Sequence, residues 1–503
     1  MPILNSIVSW LNIKRMSQID LMRKYPADVQ FETFLRLIDQ AAPTEWGKKY
    51  KYREIRNYDI YRERVPIQTY EDIKPWVDRM RKGETELLWP GEIKWFAKSS
   101  GTTSDKSKFI PVTEESLEEN HFRGGKDVMA IFNSNYPENN YLSGKTLTLG
   151  GSHQINENKE SYYGDLSAIL IQNMPFWTNF IRVPDRETIL IDEFERKIDR
   201  ILHATLNENV TSMAGVPSWI MVLLKAVLEK TGKSNILEVW PNLELFVHGG
   251  VSFNPYREMY KELIPSDQMK YMETYNASEG FFAVQDDPNH TDMLLMLDLG
   301  VFYEFIPMDE LGKENPRTCT IEEVEKGKNY AMVISTNGGL WRYMIGDTVV
   351  FTSVFPHKIK ISGRTKHFIN AFGEELIVDN AIKALDVACK NCDAKVSHFT
   401  AGPIYMKGKE SGGHEWIIEF EKEPDSLEHF TVSLDNALQT VNSDYEAKRY
   451  KDSVLNLPVI HNAPKNLFYD WMKQRGKLGG QNKVPQLANE RKYLEELIQM
   501  IRK

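Results

Sequence analysis

The chain has 503 residues, 41% of them hydrophobic and 26% charged, and a formal net charge of −9. That length is too great for one core and predicts two or more domains of an ordinary globular protein. The acidic balance argues against nucleic acid or an anionic membrane surface as the main partner, and three cysteines cannot build a disulfide framework.

Residues 1–98 read as mainly helical. Met1 to Leu11 is mildly apolar but lacks the basic start and cleavage site of a signal peptide, and the three cysteines lead to the expectation of a reducing, cytoplasmic setting. Phe31, Phe34, Leu35, Leu37 and Ile38 recur at helical spacing, and Thr69 to Trp76 has the form of a capped helix start. No apolar run in the chain approaches the roughly 18–20 residues that span a bilayer.

Lys98 to Lys108, KSSGTTSDKSK, lies between two apolar runs and reads as a loop joining two strands. Small hydroxyl residues and glycine let backbone N–H groups and hydroxyls converge on an anion, and lysine adds charge. The same composition fits a solvated surface turn. Glu115 to Phe132 has helical spacing, and Thr146 to Gly151 alternates like a strand. Gly144-Lys145-Thr146 is not a Walker loop: its first glycine would fall at Asn139, and a strand follows where a helix is required. His153 and Tyr162-Tyr163 are placed in a long polar connection. Two amphipathic or apolar helices follow, around Ile198 to Leu206 and Trp219 to Leu228.

Leu243 to Gly250 reads as a buried strand ending in Gly249-Gly250, where a flat ring or a phosphate can approach the backbone or the chain simply turns. Lys270 to Gly280 delivers Ser278 and Glu279 to a turn, and a carboxylate beside hydroxyls suits magnesium held with a nucleotide. Met293 to Met308 alternates around Asp298-Leu299-Gly300 and predicts a hairpin. Trp341 to Asp347 sits in a further pair of strands, and Asp347 has the chemistry to accept bonds from ribose hydroxyls or to close a turn. The last ~140 residues read as an α+β unit, with strands at Val396 to Tyr405 and Glu415 to Phe420 and helices at Leu427 to Tyr450 and Tyr493 to Ile501. Cys389 and Cys392 form a C-x-x-C inside an apolar-periodic segment, which favours packing over zinc or redox chemistry. Gly476 to Pro485 is glycine-rich and basic.

In this order the motifs resemble those of the adenylate-forming superfamily of acyl-CoA synthetases and luciferases. They are most similar to the Gretchen Hagen family of acyl acid amido synthetases. The loop matches through Ser99, Ser100, Gly101, Thr102, Thr103 and Lys108, although Asp105 stands where that family commonly has glycine. Tyr275, Ser278 and Glu279 match its Tyr-x-x-Ser-Glu motif, and Arg342, Tyr343, Gly346 and Asp347 match the next one, with Trp341 replacing the usual tyrosine.

The resemblance implies an α/β fold: a large N-terminal adenylation domain over 1–362, with β-sheets flanked by helices, and a small mobile α+β domain over 363–503. It implies ATP and Mg2+ as cofactors and Glu279 as the metal ligand. Gly249 and Gly250 would pack on adenine, Asp347 would hold ribose and Arg364 would contact ribose or phosphate near a hinge carrying Lys366. Lys483 would reach the α-phosphate, so Lys483, Lys108 and Glu279 are the expected catalytic residues. The implied activity is adenylation of a carboxylic acid, then acyl transfer to an amine such as an amino acid. An acyl-CoA ligase would share the first step, and a non-catalytic nucleotide-binding protein would keep only the pocket.

Overall fold

The computed structural model describes residues 2–99, 108–150, 153–155, 160–191, 194–250, 253, 256–365, 368–369, 376–405, 412–442, 445–446, 449, 455–477, 484–488 and 491–502. For 2–11, 99, 153–155, 177, 194–195, 218, 364 and 368 the description is of the backbone alone. The chain forms two compact units. The first comprises 1–253, 257–345 and 349–360, and the second 254–256, 346–348 and 361–503.

The first unit opens with helices. Pro26–Ala41 buries Phe34, Leu37 and Ile38, while Phe31 on the same helix faces water. Tyr70–Met80 starts with a capping box in which the Asp72 carboxylate accepts from the Thr69 backbone N–H and hydroxyl. Among the described residues, no helix is long and apolar enough to cross a membrane.

The strands follow as β1 (Trp95–Ser99), β2 (Lys108–Val112), β3 (Lys145–Thr148), β4 (His153–Ile155), β5 (Tyr162–Gly164), β6 (Arg182–Val183), β7 (Val210–Gly215) and β8 (Leu245–Gly249). Then come β9 (Lys270–Ala277), β10 (Gly280–Val284), β11 (Met293–Leu295), β12 (Val301–Pro307), β13 (Asn329–Thr336), β14 (Tyr343–Val354) and β15 (His357–Arg364). A small sheet has the order β2-β1-β5-β4. His153 and Tyr162-Tyr163 therefore lie on strands and not in a plain connection, because β5 pairs in parallel with β1 through Trp95↔Tyr162.

The large sheet runs β12-β13-β14-β15-β11-β10-β9-β8-β7-β3-β6. Its β6-β3-β7-β8-β9 end is parallel. Helices Pro217–Thr231 and Arg257–Leu263 lie on the crossovers that parallel pairing requires. β7 is buried from Val210 to Met213, and its two polar members are bonded, Thr211 to the Tyr141 carbonyl and Ser212 to the Thr146 hydroxyl.

The hairpin expected across Met293 to Met308 does not form. β11 pairs with β10 and β15, whereas β12 pairs with β13 at the sheet edge. Gln30, inside the second helix, explains the divergence. Its Nε2 donates to the Leu297 and Val301 carbonyls at 2.8 Å each, and its Oε1 accepts from Tyr303 N at 3.0 Å. Those bonds occupy backbone groups that a hairpin would pair within itself.

In the second unit, β18 (Lys395–Ile404), β19 (Gly413–Lys422) and β20 (Val459–Ala463) form one sheet, after the short pair β16 (Phe368–Ile369) and β17 (Leu376–Ile377). Helices Val378–Asn391 and Leu427–Val441 bury Ala384, Leu385, Leu434 and Leu438 with Phe399, Trp416 and Ile418 of the sheet. The second helix ends at Val441, where Asn442 breaks it and accepts from Tyr445 N at 2.8 Å. Residues 445, 446 and 449 are helical again, so among the described residues the stretch expected to run to Tyr450 is helical in two pieces. Burial pushes the Cys389 thiol up to about 11, as a packed side chain requires. Cys392 Sγ lies 3.6 Å from His429 Nδ1, and no group of three metal-ligating side chains occurs among the described residues.

Candidate functional site

β1 and β2 run antiparallel, with Ser99 opposite Lys108. These two residues close the loop, whose members Ser100, Gly101, Thr102 and Thr103 lie outside the described residues, as does the Ser99 side chain. Lys108 is half-buried, with its Nζ 5.7 Å from the centre of the Tyr70 ring. The Tyr70 hydroxyl accepts from Phe109 N at 2.8 Å, so the capped helix fixes the start of the returning strand.

β9 and β10 pair through Ala277↔Gly280, which leaves Ser278 and Glu279 as a two-residue hairpin turn. Tyr275 is buried, its ring set at 63° to Phe282 with centroids 5.0 Å apart. Ser278 is buried as well, and its Oγ has no hydrogen-bond partner among the described residues. Glu279 is half-buried beside it. A buried hydroxyl left unbonded is costly, about 1–3 kcal/mol, which a ligand oxygen would relieve.

The double glycine divides into two cases. A Cβ on Gly249 would stand 2.4 Å from the Thr274 carbonyl oxygen, so the approach of β8 to β9 already demands glycine there. Gly250 has φ +83° and is exposed; it turns the chain where other residues are strained.

Asp347 is buried in the second unit. Its neighbours tie that segment to the following strand: Thr365 N donates to Gly346 O at 2.8 Å, and Ser362 Oγ to Thr348 Oγ1 at 2.9 Å. Arg364 is the last residue of β15, and Lys366 and Lys483 lie outside the described residues.

Arg342, part of the same motif as Asp347, is a structural group. It is buried at φ +43°, with Nη2 2.8 Å from Glu304 Oε1 and Nη1 donating to the carbonyls of Arg62 and Val65. Glu304 is fully buried and also accepts from the Tyr58 hydroxyl at 2.9 Å. Its partner lies 38 residues away, a pairing that no local pattern announces.

Two titratable groups near the glycine turn escaped sequence reasoning. His248 is buried against Phe253 with ring centroids 4.1 Å apart; burial holds it neutral, down to about 3, and its Nδ1 lacks a partner among the described residues. Glu273, opposite it on β9, is pushed up to about 7 by burial, against the pull of Arg257 and Lys360. The signal was present only as polar letters inside two strands assigned to the core.

The GH3 family N-terminal domain matches residues 15–269, its central domain 294–364 and its C-terminal domain 379–492. The chain belongs to the GH3 family. The indole-3-acetic acid-amido synthetase GH3.3 of Arabidopsis thaliana is 21% identical, over 97% of this chain and 93% of its own length. The 4-substituted benzoates-glutamate ligase GH3.12 of the same plant is 23% identical, over 87% and 89%. The solved GH3.15 acyl acid amido synthetase shares the fold at a TM-score of 0.78 and 18% identity, covering 96% of this chain and 95% of that one. A 2-hydroxyisobutyryl-CoA ligase in its postadenylation state aligns at 0.57 and 11% identity, over 94% and 91%. This GH3 chain is thus an adenylate-forming enzyme acting on acyl acids, with a large α/β N-terminal domain and a smaller α+β C-terminal one.

Proposed function

We propose that the chain is an acyl acid amido synthetase that joins a carboxylic acid to the amine of an amino acid. The observation that carries this reading is the Ser278–Glu279 turn, where a buried hydroxyl without a partner among the described residues adjoins a carboxylate. Mg2+ bound with a nucleotide keeps several waters and takes one or two protein carboxylates, so Glu279 alone is a sufficient donor. Bound there, the ion would neutralise charge on the phosphates. Ser99 to Thr103 and Lys108 would hold the phosphates, Gly249 and Gly250 would pack on the adenine, Tyr275 would complete the nucleotide-binding motif, and Asp347 and Arg364 would bind the ribose side. Residues 363–503 would act as a lid that brings Lys483 to the α-phosphate.

In the first step a carboxylate oxygen attacks the α-phosphorus, the α–β anhydride bond breaks and pyrophosphate leaves. In the second an amine attacks the activated carbonyl, the acyl–phosphate bond breaks, and AMP and a proton leave. Little covalent chemistry falls to the protein; positioning and charge neutralisation dominate. Transfer to an amino acid is supported by the relatives' names, two of which specify amide or glutamate products.

The test is incubation with Mg·ATP and a panel of carboxylic acids, each with and without amino acids or CoA, read by mass spectrometry. AMP with an N-acyl amino acid is the expected outcome. An acyl-CoA would make the chain a ligase of thioesters, and bound ATP with no AMP for any acid would make it a non-catalytic nucleotide binder.

A further inference from the structure

The segment that follows β2 carries buried polar side chains, Thr113, Ser116, Asn120 and His121, that the adenylation reading leaves unused. Thr113 Oγ1 donates to the Asn337 carbonyl at 2.7 Å and accepts from Ser116 N at 2.9 Å. From there Ser116–Phe122 winds as a π-helical turn before the α-helix Arg123–Asn135 begins. Helical spacing over Glu115 to Phe132 predicts a uniform helix, so the wider turn is a departure. Such turns are rare and concentrate at functional sites, because the extra residue re-aims the side chains around it.

The residues re-aimed here are Asn120 and His121, 1% and 5% exposed. Asn120 grips the β9–β10 hairpin on its far side: Phe281 N donates to its Oδ1 at 2.6 Å, and its Nδ2 donates to Phe281 O at 3.2 Å and to Leu299 O at 2.7 Å. His121 reaches the near side, with Nδ1 3.2 Å from Asn276 Oδ1. Burial holds its imidazole down to about 4, so at neutral pH it is uncharged and Nδ1–H is the donor. The helix Arg123–Asn135 packs closely on β10: a Cβ on Gly124 would stand 2.4 Å from Phe281 Cγ. Buried polar side chains cost stability unless bonded, and an apolar turn would pack as well, so these bonds are informative by where they land. They land on Asn276 and Phe281, one on each side of Ser278–Glu279.

We propose that Asn120 and His121 are positioning residues that hold the Ser278–Glu279 turn in the geometry that takes Mg·ATP. The proposal rests on the reading under Proposed function. It makes the π-helical turn a rigid strut between the phosphate-loop strand β2 and the metal-side hairpin. Residues that orient a metal ligand without touching the metal typically change metal affinity 10–100-fold when altered.

The test is calorimetric titration of the full chain with ATP, with and without Mg2+, for wild type, His121→Phe, His121→Gln and Asn276→Ala. His121→Phe and Asn276→Ala are expected to bind ATP about tenfold more weakly with Mg2+ present and unchanged without it. His121→Gln, which keeps a donor, is expected to stay within about twofold of wild type. Asn276 is exposed, so its variant tests the same bond should His121→Phe fail to fold. Wild-type affinity in Asn276→Ala and any folded His121→Phe, or equal weakening with and without Mg2+, would overturn the inference alone. A wild type that binds no Mg·ATP would instead overturn the adenylation reading on which it stands.

Discussion

Arg342 and Ser278 come from two motifs of one family, yet their surroundings differ in kind. Around Arg342 each charged atom has an answer: Glu304 takes the guanidinium, and the Arg62 and Val65 carbonyls take the rest. The group is sealed, and its left-handed backbone costs on the order of 1–2 kcal/mol that these bonds must offset. Around Ser278 a hydroxyl is buried and unanswered among the described residues. A saturated polar cluster holds a fold together, whereas an unsaturated one leaves chemistry to be completed from outside. Motif membership does not distinguish the two; hydrogen-bond satisfaction does.

The largest effect should come from the sealed side. Arg342→Met leaves Glu304 charged and fully buried, which costs about 3–5 kcal/mol. The urea midpoint should fall steeply, while Arg342→Met with Glu304→Leu recovers much of the loss. A double variant as unstable as the single one would break the comparison.

Next is Glu279→Gln on the open side. ATP–pyrophosphate exchange should fall about 100-fold, roughly 2.7 kcal/mol, with the thermal midpoint nearly unchanged. Loss of stability in step with activity would mean that this carboxylate is structural too.

Glu273 sharpens the comparison through pH. Its folded value of about 7 lies above the ordinary 4.5, so the folded chain holds a proton that the unfolded chain releases between those values. The associated stability is full below pH 4.5 and is lost as pH rises through 7. Thermal melts should show Glu273→Gln more stable than wild type at pH 8, by on the order of 1–3 kcal/mol, with the gap closing towards pH 4.5. A pH-independent gap would place the carboxylate in a partnered, ionised state.

The smallest expected change is Ser278→Ala. Removing a hydroxyl that has no partner among the described residues should leave stability level or raise it by up to about 1 kcal/mol, while exchange falls about tenfold. Destabilisation would show that the hydroxyl has a partner and belongs with Arg342.

Much of the architecture was legible where the code is local. The Thr69/Asp72 capping box and the strand–turn–strand delivery of Ser278 and Glu279 are each written within a few residues. Partner choice was not. β11 and β12 alternate as a hairpin would, but Gln30, some 270 residues earlier, and Asn120 bond the backbone groups between them. The π-helical turn was equally hidden, since Leu117, Val128 and Ile131 keep a helical rhythm through it. Arg342 was read with the nucleotide motif because its buried counter-ion lies on a different strand. His248 and Glu273 carry ordinary strand positions; only packing makes them neutral or proton-holding.

The contact between Gly249 and the Thr274 carbonyl has a bearing on redesign. In a library that varies residues around the strand ends, any side chain at 249 would pry two parallel strands apart. Variation there should be purged at the level of folded protein before any screen for new substrates begins, and Gly250, with its φ of +83°, closes the next position to most side chains as well.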